Sequence, residues 1–169
     1  MRVKLQPAET EDAEAIAALR NAVSDDLTFK HGRGNWTRYS TTAAVLRELR
    51  RDKIYVVLHR DEVVASLVLG TTKPASIDLK FFPRLKRPLY LTEMVVAPDL
   101  QHRGIGRGCI GEVRKLARRA KAEAILLETD DHRDAGAGPF FARCGWRECG
   151  RVTHRAAPLL YFELPVGTT

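Results

Sequence analysis

One segment near the middle of the chain constrains the fold more than any other, because an apolar strand pattern passes there into glycines and a helix. Leu89–Ala97 has the composition of a buried strand, Pro98 ends it, and a helical pattern follows over Gly104–Ala120. Glycines let the backbone approach a ligand closely. The first turn of a helix has N–H groups without partners and a partial positive charge. The segment therefore predicts an anion site that suits a pyrophosphate.

The remaining hydrophobic pattern predicts the element order β-α-α-β-β-β-α-β-α-β-β. A short strand is expected at Val3–Leu5, and the runs Lys53–His59 and Glu62–Gly70 on either side of Arg60-Asp61 are typical of a hairpin. The strand–helix–strand unit in the middle implies a parallel pair, whereas hairpins add antiparallel neighbours. We therefore expect a mixed α/β fold, and the length suits a single domain over residues 1–169.

Composition narrows the class of protein. No apolar run is long enough to span a bilayer, and the first residues lack the apolar stretch of a secretory signal, so we expect a cytoplasmic protein without a membrane partner. The three cysteines are an odd number without metal-ligand spacing, which predicts reduced structural thiols and no metal site.

The net charge of +7 favours anionic partners such as a polyphosphate cofactor. A nucleic-acid binder would also be basic, but no block of Lys and Arg is long enough to form a nucleic-acid arm. We therefore expect no nucleic-acid partner. The alternative hypothesis of a nucleic-acid binder rests on net charge alone.

Gly106, Gly108 and Gly111 spell G-x-G-x-x-G, the pattern of an NAD(P)-binding Rossmann-type oxidoreductase. In that motif the first glycine follows its strand almost at once. Here a long turn separates Val96 from Gly106, so the third glycine already lies inside the helix. The oxidoreductase is kept as the less favoured alternative.

The glycine segment resembles a known family. Gln101-His-Arg-Gly104-Ile-Gly106 matches the Q/R-x-x-G-x-G/A motif of the GNAT superfamily of N-acetyltransferases, and Ala137–Trp146 is similar to that family's A-x-x-F/L-Y-x-x-x-G-F segment. The resemblance implies a central mixed, mostly antiparallel sheet with a splayed parallel pair, flanked by about four helices. It also implies acetyl-CoA, or another acyl-CoA, as the cofactor of an acetyltransferase.

The resemblance assigns cofactor contacts to the strand and to the glycine loop. Backbone groups of Met94, Val95 and Val96 would pair with pantetheine, and the ring of Phe141 would pack against the cofactor. The pyrophosphate would lie on backbone N–H groups of Gln101, His102, Arg103, Gly104, Ile105, Gly106 and Arg107.

Glu93 is the candidate catalytic residue, because many members of the family have a carboxylate at this position, close to the acceptor amine. It would act as general base, directly or through water. The alternative is a structural ion pair with a basic neighbour. Phe141 stands where the family often has a Tyr that protonates the leaving thiolate, and Phe has no proton to give. Either another acid such as water, His132 or Tyr90 serves, or the thiolate leaves without one, or the chain is a CoA-binding module with weak or no catalysis.

The resemblance places the acceptor near the first two helices, their loop and the hairpin. Trp36, Tyr39 and Tyr90 are the candidate substrate contacts, since aromatic residues in irregular segments can line a pocket. They could equally form a small core of their own. A carboxylate at Glu93 favours a cationic amine of a small molecule or peptide. Because many members of the family are dimers, a homodimer is a further expectation.

Overall fold

The computed structural model describes residues 2–153 and 157–167. Its elements follow the predicted order from first to last. The bounds are β1 Gln6–Pro7, α1 Ala13–His31, α2 Thr42–Arg51, β2 Ile54–His59, β3 Glu62–Gly70, β4 Pro88–Val96, α3 Ile105–Arg119, β5 Ala124–Asp130, α4 Gly138–Arg143, β6 Arg147–Val152 and β7 Leu159–Pro165. Short 3-10 turns occupy Thr10–Asp12, Leu79–Phe81 and Pro98–Leu100.

Within the described residues, seven strands form a sheet in the order β1-β2-β3-β4-β5-β7-β6. The pairs β1–β2, β2–β3, β5–β7 and β6–β7 are antiparallel, and β4–β5 is parallel. The parallel register covers three residue pairs, from Pro88↔Ala124 to Tyr90↔Leu126. The predicted mixed, mostly antiparallel sheet with a parallel pair is confirmed.

The hairpin between β2 and β3 forms where it was predicted. Arg60 and Asp61 have φ angles of 52° and 64°, so both central residues are left-handed, as in the tight turns that match the twist of a hairpin. Neither residue is the Gly or Asn that usually takes this conformation. The two strands pair as far as His59↔Glu62, with a register shift between Val57 and Leu58, and this pairing holds the turn in place.

The predicted strand at Val3–Leu5 is wrong in its position. The pairing with β2 involves Gln6 and Pro7, whose partners are Val56 and Tyr55. Val3 instead packs against α3, because a Cβ placed on Gly108 would lie 2.6 Å from the Val3 Cγ2 atom. The apolar side chain that suggested a strand is therefore used for packing on a helix.

The described chain divides into two compact units. The first unit comprises residues up to Gly70 together with Glu93–Val113, and the second comprises Thr71–Thr92 and the chain from Arg114 onward. β4 and α3 each contribute residues to both units. The expectation of a single domain over residues 1–169 stays a prediction. In the described residues, no helix is long and apolar enough to cross a membrane.

The core of the first unit lies between the first two helices and the hairpin. Its buried residues are Ala13, Ile16 and Ala17 of α1, Val45 of α2, Ile54 and Val56 of β2, and Val68 of β3. Thr41 caps α2, since its side chain accepts a hydrogen bond from the backbone N–H of Ala44. Arg20 of α1 pairs with Glu48 of α2 at 2.8 Å, and both side chains are largely buried. These contacts fix the two helices that flank the loop between them.

The core of the second unit contains the aromatic residues Tyr90, Phe82 and Tyr161, packed with aliphatic side chains. The Tyr161 hydroxyl donates to the Ser76 carbonyl at 2.5 Å, which fixes part of the segment between β3 and β4. The Glu123 carboxylate accepts hydrogen bonds from the backbone N–H groups of Arg87 and Lys86, and these bonds lower its pKa. They also hold the chain immediately before β4 begins.

Gly108 and Gly111 of α3 provide a matched test of this packing. Gly108→Ala places a Cβ within 2.6 Å of Val3, whereas Gly111→Ala places one in open space. Alanine favours a helix over glycine by up to about 1 kcal/mol at either position, and overpacking costs about 1–3 kcal/mol. We expect Gly111→Ala to raise the free energy of unfolding, measured by urea denaturation. The free energy of unfolding of Gly108→Ala should be about 1–3 kcal/mol lower than that of Gly111→Ala. Equal stabilities would contradict the contact with Val3.

Candidate active site

The end of β4 carries an unusual backbone at Glu93. Its φ angle is 51°, a left-handed conformation that costs an L-residue about 1–2 kcal/mol. Strain of this kind tends to be retained where it serves function. Met94, Val95 and Val96 follow, all half-buried, and Ala97 donates its N–H to the Val64 carbonyl at 2.9 Å. The chain thus leaves the strand from a position that β3 anchors.

A tight turn connects the strand to the glycine loop. The Gln101 side chain folds back and donates to the Val96 carbonyl at 3.1 Å. The Gln101 backbone N–H donates to Pro98 in a long bond of 3.4 Å. Gln101 therefore acts mainly in closing the turn. Its backbone N–H, one of the predicted pyrophosphate donors, already donates a hydrogen bond within the protein.

The glycine loop opens α3 with two further left-handed residues, His102 at φ 61° and Gly104 at φ 84°. The Gly108 N–H donates to the Gly104 carbonyl at 2.9 Å. The N–H groups of Ile105, Gly106 and Arg107 precede this bond and have no partner within the helix. The loop therefore presents a row of backbone donors at the positive end of a helix.

The surroundings of this helix end suit an anion. Its first turn, which the structure describes in full, has no acidic residue. The side chains of Arg103 and Arg107 are exposed on either side of the glycines. A Cβ at Gly104 would meet no atom within 4 Å, so the space beside the loop is open to a ligand. A bound diphosphate fits these donors and this charge.

The structure excludes the dinucleotide-binding alternative. A Rossmann sheet is mostly parallel, and this sheet has one described parallel pair. The third glycine of that motif serves close helix–strand packing. Here Gly111 is exposed, with no atom within 4 Å of an added Cβ, and Gly108 packs on Val3. The match of these glycines to the G-x-G-x-x-G motif is therefore coincidental.

Glu93 forms an ion pair with Arg38, whose Nη2 atom lies 3.0 Å from the Glu93 Oε1 atom. The Glu93 side chain is 31% exposed and that of Arg38 is 73% exposed. The basic neighbour considered as an alternative to catalysis is therefore present. An exposed pair of this kind contributes about 0–1 kcal/mol, so it is weak enough to open when a ligand competes.

The loop that carries Arg38 is bound firmly to α1. The Ser24 hydroxyl donates to the Trp36 carbonyl at 2.6 Å and accepts from the Arg38 N–H at 3.2 Å. The Asn21 amide exchanges two hydrogen bonds with the backbone of Ser40. Sequence reasoning missed Ser24 and Asn21, because a polar residue on a helix gives no sign of which distant loop it holds.

Trp36 and Tyr39, the predicted acceptor contacts of this loop, have different surroundings. The Trp36 ring packs over Gly34, and its Nε1 atom donates to the Gly32 carbonyl at 3.0 Å. These contacts of the Trp36 ring are therefore with its own loop. Tyr39 is 72% exposed, and its hydroxyl donates to Asp25 at 2.8 Å. This hydrogen bond, together with the nearby charge of Asp25, raises the pKa of Tyr39.

Two further predicted site residues, Tyr90 and Phe141, lie in the second unit and are buried. Tyr90 is 5% exposed within the aromatic core, and burial raises its pKa. Phe141 is 7% exposed, and its ring centroid lies 5.5 Å from that of Trp146 and 6.1 Å from that of Phe162. Packing accounts for both side chains, and their roles toward acceptor and cofactor stay predictions.

Comparison with known proteins identifies the family. Residues 16–146, more than half of the chain, match the model of the acetyltransferase (GNAT) family, and the chain therefore belongs to it. Membership confirms the predicted resemblance and the predicted cofactor, acetyl-CoA. No curated protein matches the sequence closely enough to count as a relative.

Solved structures share the fold at low sequence identity. An N-acetyltransferase of Staphylococcus aureus has 15% identity and a TM-score of 0.71, with 99% of this chain and 100% of that chain covered. A ribosomal-protein-alanine N-acetyltransferase of Brucella melitensis has 19% identity and a TM-score of 0.72, with coverage of 96% and 99%. The yncA protein of Salmonella typhimurium, solved with its cofactor acetyl-CoA, has 16% identity and a TM-score of 0.72, with coverage of 100% and 96%. At these identities the likeness shows the fold alone.

The left-handed backbone at Gly104 can be tested against a matched glycine. Gly104→Ala strains the backbone by about 1–2 kcal/mol, so the free loop relaxes and cofactor binding must restore it. We expect the Kd for acetyl-CoA, measured by calorimetry, to rise about tenfold. Gly32→Ala is the control, because Gly32 also has a positive φ of 76° with open space around it, but lies outside the glycine loop. A similar loss of affinity in both variants would show a general effect on stability.

Proposed function

We propose that this chain transfers an acetyl group from acetyl-CoA to a primary amine of a small molecule or peptide. Membership in the acetyltransferase (GNAT) family supports the reaction. The observation that carries the proposal is the placement of Glu93. Its carboxylate is held at a left-handed position of β4, partly exposed, eight residues before Gln101 opens the glycine loop.

Within the first unit, we assign some residues to the binding of acetyl-CoA and others to the acceptor amine. The N–H groups of the glycine loop and the exposed Arg103 and Arg107 would hold the diphosphate of the cofactor. Backbone groups of Met94, Val95 and Val96 are the proposed contacts for its pantetheine arm. When bound, acetyl-CoA supplies an acetyl group activated as a thioester, whose carbonyl carbon the amine attacks with loss of the CoA thiolate.

Glu93 is the proposed general base. An amine is protonated at neutral pH and must lose a proton before its lone pair can attack. The Glu93 carboxylate first attracts the ammonium group and then accepts this proton, directly or through one water. To do so it must part from Arg38, and the exposure of that guanidinium allows the separation.

Phe141 supports a second candidate function, a CoA-binding module with weak or no catalysis. Its buried ring has no proton to donate to a leaving thiolate. Activity then requires that another acid serves, as proposed for His132 or Tyr90, or that the thiolate leaves without one. Turnover distinguishes the two functions. A homodimer stays a prediction of the family resemblance.

Glu93→Gln tests the general base. We expect kcat/KM for the best amine to fall about 10²–10⁴-fold, because the amide cannot accept the proton. The Kd for acetyl-CoA should be unchanged, since the glycine loop is intact. Glu62→Gln, which alters an exposed carboxylate of the hairpin, is the matched control and should retain full activity.

The pH dependence of the same variant gives an independent readout. The pH profile of kcat/KM is measured for the wild-type protein and for Glu93→Gln, because removal of an essential general base changes that profile. An unchanged pH profile in Glu93→Gln would contradict the role of Glu93. Tight acetyl-CoA binding without any acetylated amine from the wild-type protein would favour the CoA-binding module.

A further inference from the structure

The ion pair between Arg38 and Glu93 places a cation beside the carboxylate that is proposed to receive the acceptor amine. The two charged atoms are 3.0 Å apart, and the residues are 55 positions apart in the sequence. Both belong to the first unit, and the Arg38 backbone is fixed by Ser24. The guanidinium is therefore positioned by the fold, although its side chain is largely exposed.

A simple amine is a poor match for this pair. Its ammonium group would approach Glu93 next to a guanidinium of the same sign, and like charges at this distance repel. Breaking the pair for such a ligand would also leave Arg38 without its partner. A ligand with both an ammonium and a carboxylate group avoids both costs, because each end replaces one partner of the pair.

We propose that the Arg38–Glu93 pair selects zwitterionic acceptors, namely free α-amino acids, with the ammonium group on Glu93 and the carboxylate on Arg38. This inference rests on the proposed acetyltransferase function and names its acceptor class. An arginine suits the role, since its planar fork donates two parallel hydrogen bonds to a carboxylate. In an α-amino acid both charged groups are attached to one carbon atom, so a single small ligand spans both partners.

The same pair assists release of the product. Acetylation removes the positive charge from the amine, so the product no longer has a cation for Glu93. Once Glu93 has passed the proton that it accepted to solvent, its carboxylate can pair with Arg38 again and compete there with the carboxylate of the product. The exposed surface of Arg38 lets this exchange occur without opening the core of the first unit.

Matched acceptors and an arginine variant test the proposal. Steady-state acetylation is measured with leucine, phenylalanine and histidine, and with the amines that lack their carboxylate: isoamylamine, phenethylamine and histamine. For at least one pair we expect the wild-type protein to favour the amino acid in kcat/KM by tenfold or more. Arg38→Gln should lower kcat/KM for that amino acid by about tenfold and leave the value for its amine equal or higher.

Two further variants control for structure. Arg33→Gln removes another exposed arginine of the same loop and should preserve the preference. Arg38→Lys keeps the positive charge but lacks the planar guanidinium, and it should retain part of the preference for amino acids. Equal activity of the wild-type protein toward amino acids and amines would overturn the inference. So would an equal loss of both activities in Arg38→Gln, which would indicate a structural role.

Measurement of acceptor binding distinguishes failure of this inference from failure of the proposed function. The same ligands are titrated by calorimetry into the protein saturated with CoA. If no acceptor is acetylated, the acetyltransferase proposal fails. Amino-acid binding that weakens about tenfold in Arg38→Gln would still support a zwitterion site. Absence of amino-acid binding in the wild-type protein would overturn the inference.

Discussion

The left-handed backbone at Glu93 is the constraint on which the site depends. It falls where β4 passes from the second unit to the first, and the described parallel register with β5 covers only the residues before it. A regular strand would alternate its side chains between two faces without interruption. The left-handed residue breaks that alternation and sets the direction of the Glu93 carboxylate. The ion pair with Arg38 therefore depends on this one backbone position.

Backbone geometry, more than side-chain chemistry, builds the proposed diphosphate site. Two residues of the glycine loop are left-handed, and one of them, His102, is not a glycine. The Gln101 side chain takes up the Val96 carbonyl, which keeps the turn closed while the N–H groups at the start of α3 face outward from the helix end. The arginines on either side add charge without being buried, so the loop carries little desolvation cost.

The sequence predicted most of the fold, because its signals are local. Strand and helix periodicities, the Arg60-Asp61 turn and the glycines before α3 each act over a few residues, and all appear in the structure. The position of β1 could not be predicted, since Val3 packs on a helix that is distant in sequence. The pairing of Arg38 with Glu93 and the burial of Tyr90 likewise depend on long-range contacts. Local patterns define elements, whereas charge pairs and burial require the assembled unit.

The attachment of the loop between α1 and α2 has a consequence for how such a protein changes over generations. The hydrogen bonds from Ser24 and Asn21 reach backbone atoms of Trp36, Arg38 and Ser40. A loop secured through its main chain tolerates exchange of its outward side chains at little cost in folding. Side chains on the outer face of this loop can therefore change by single substitutions while its main chain keeps the same path.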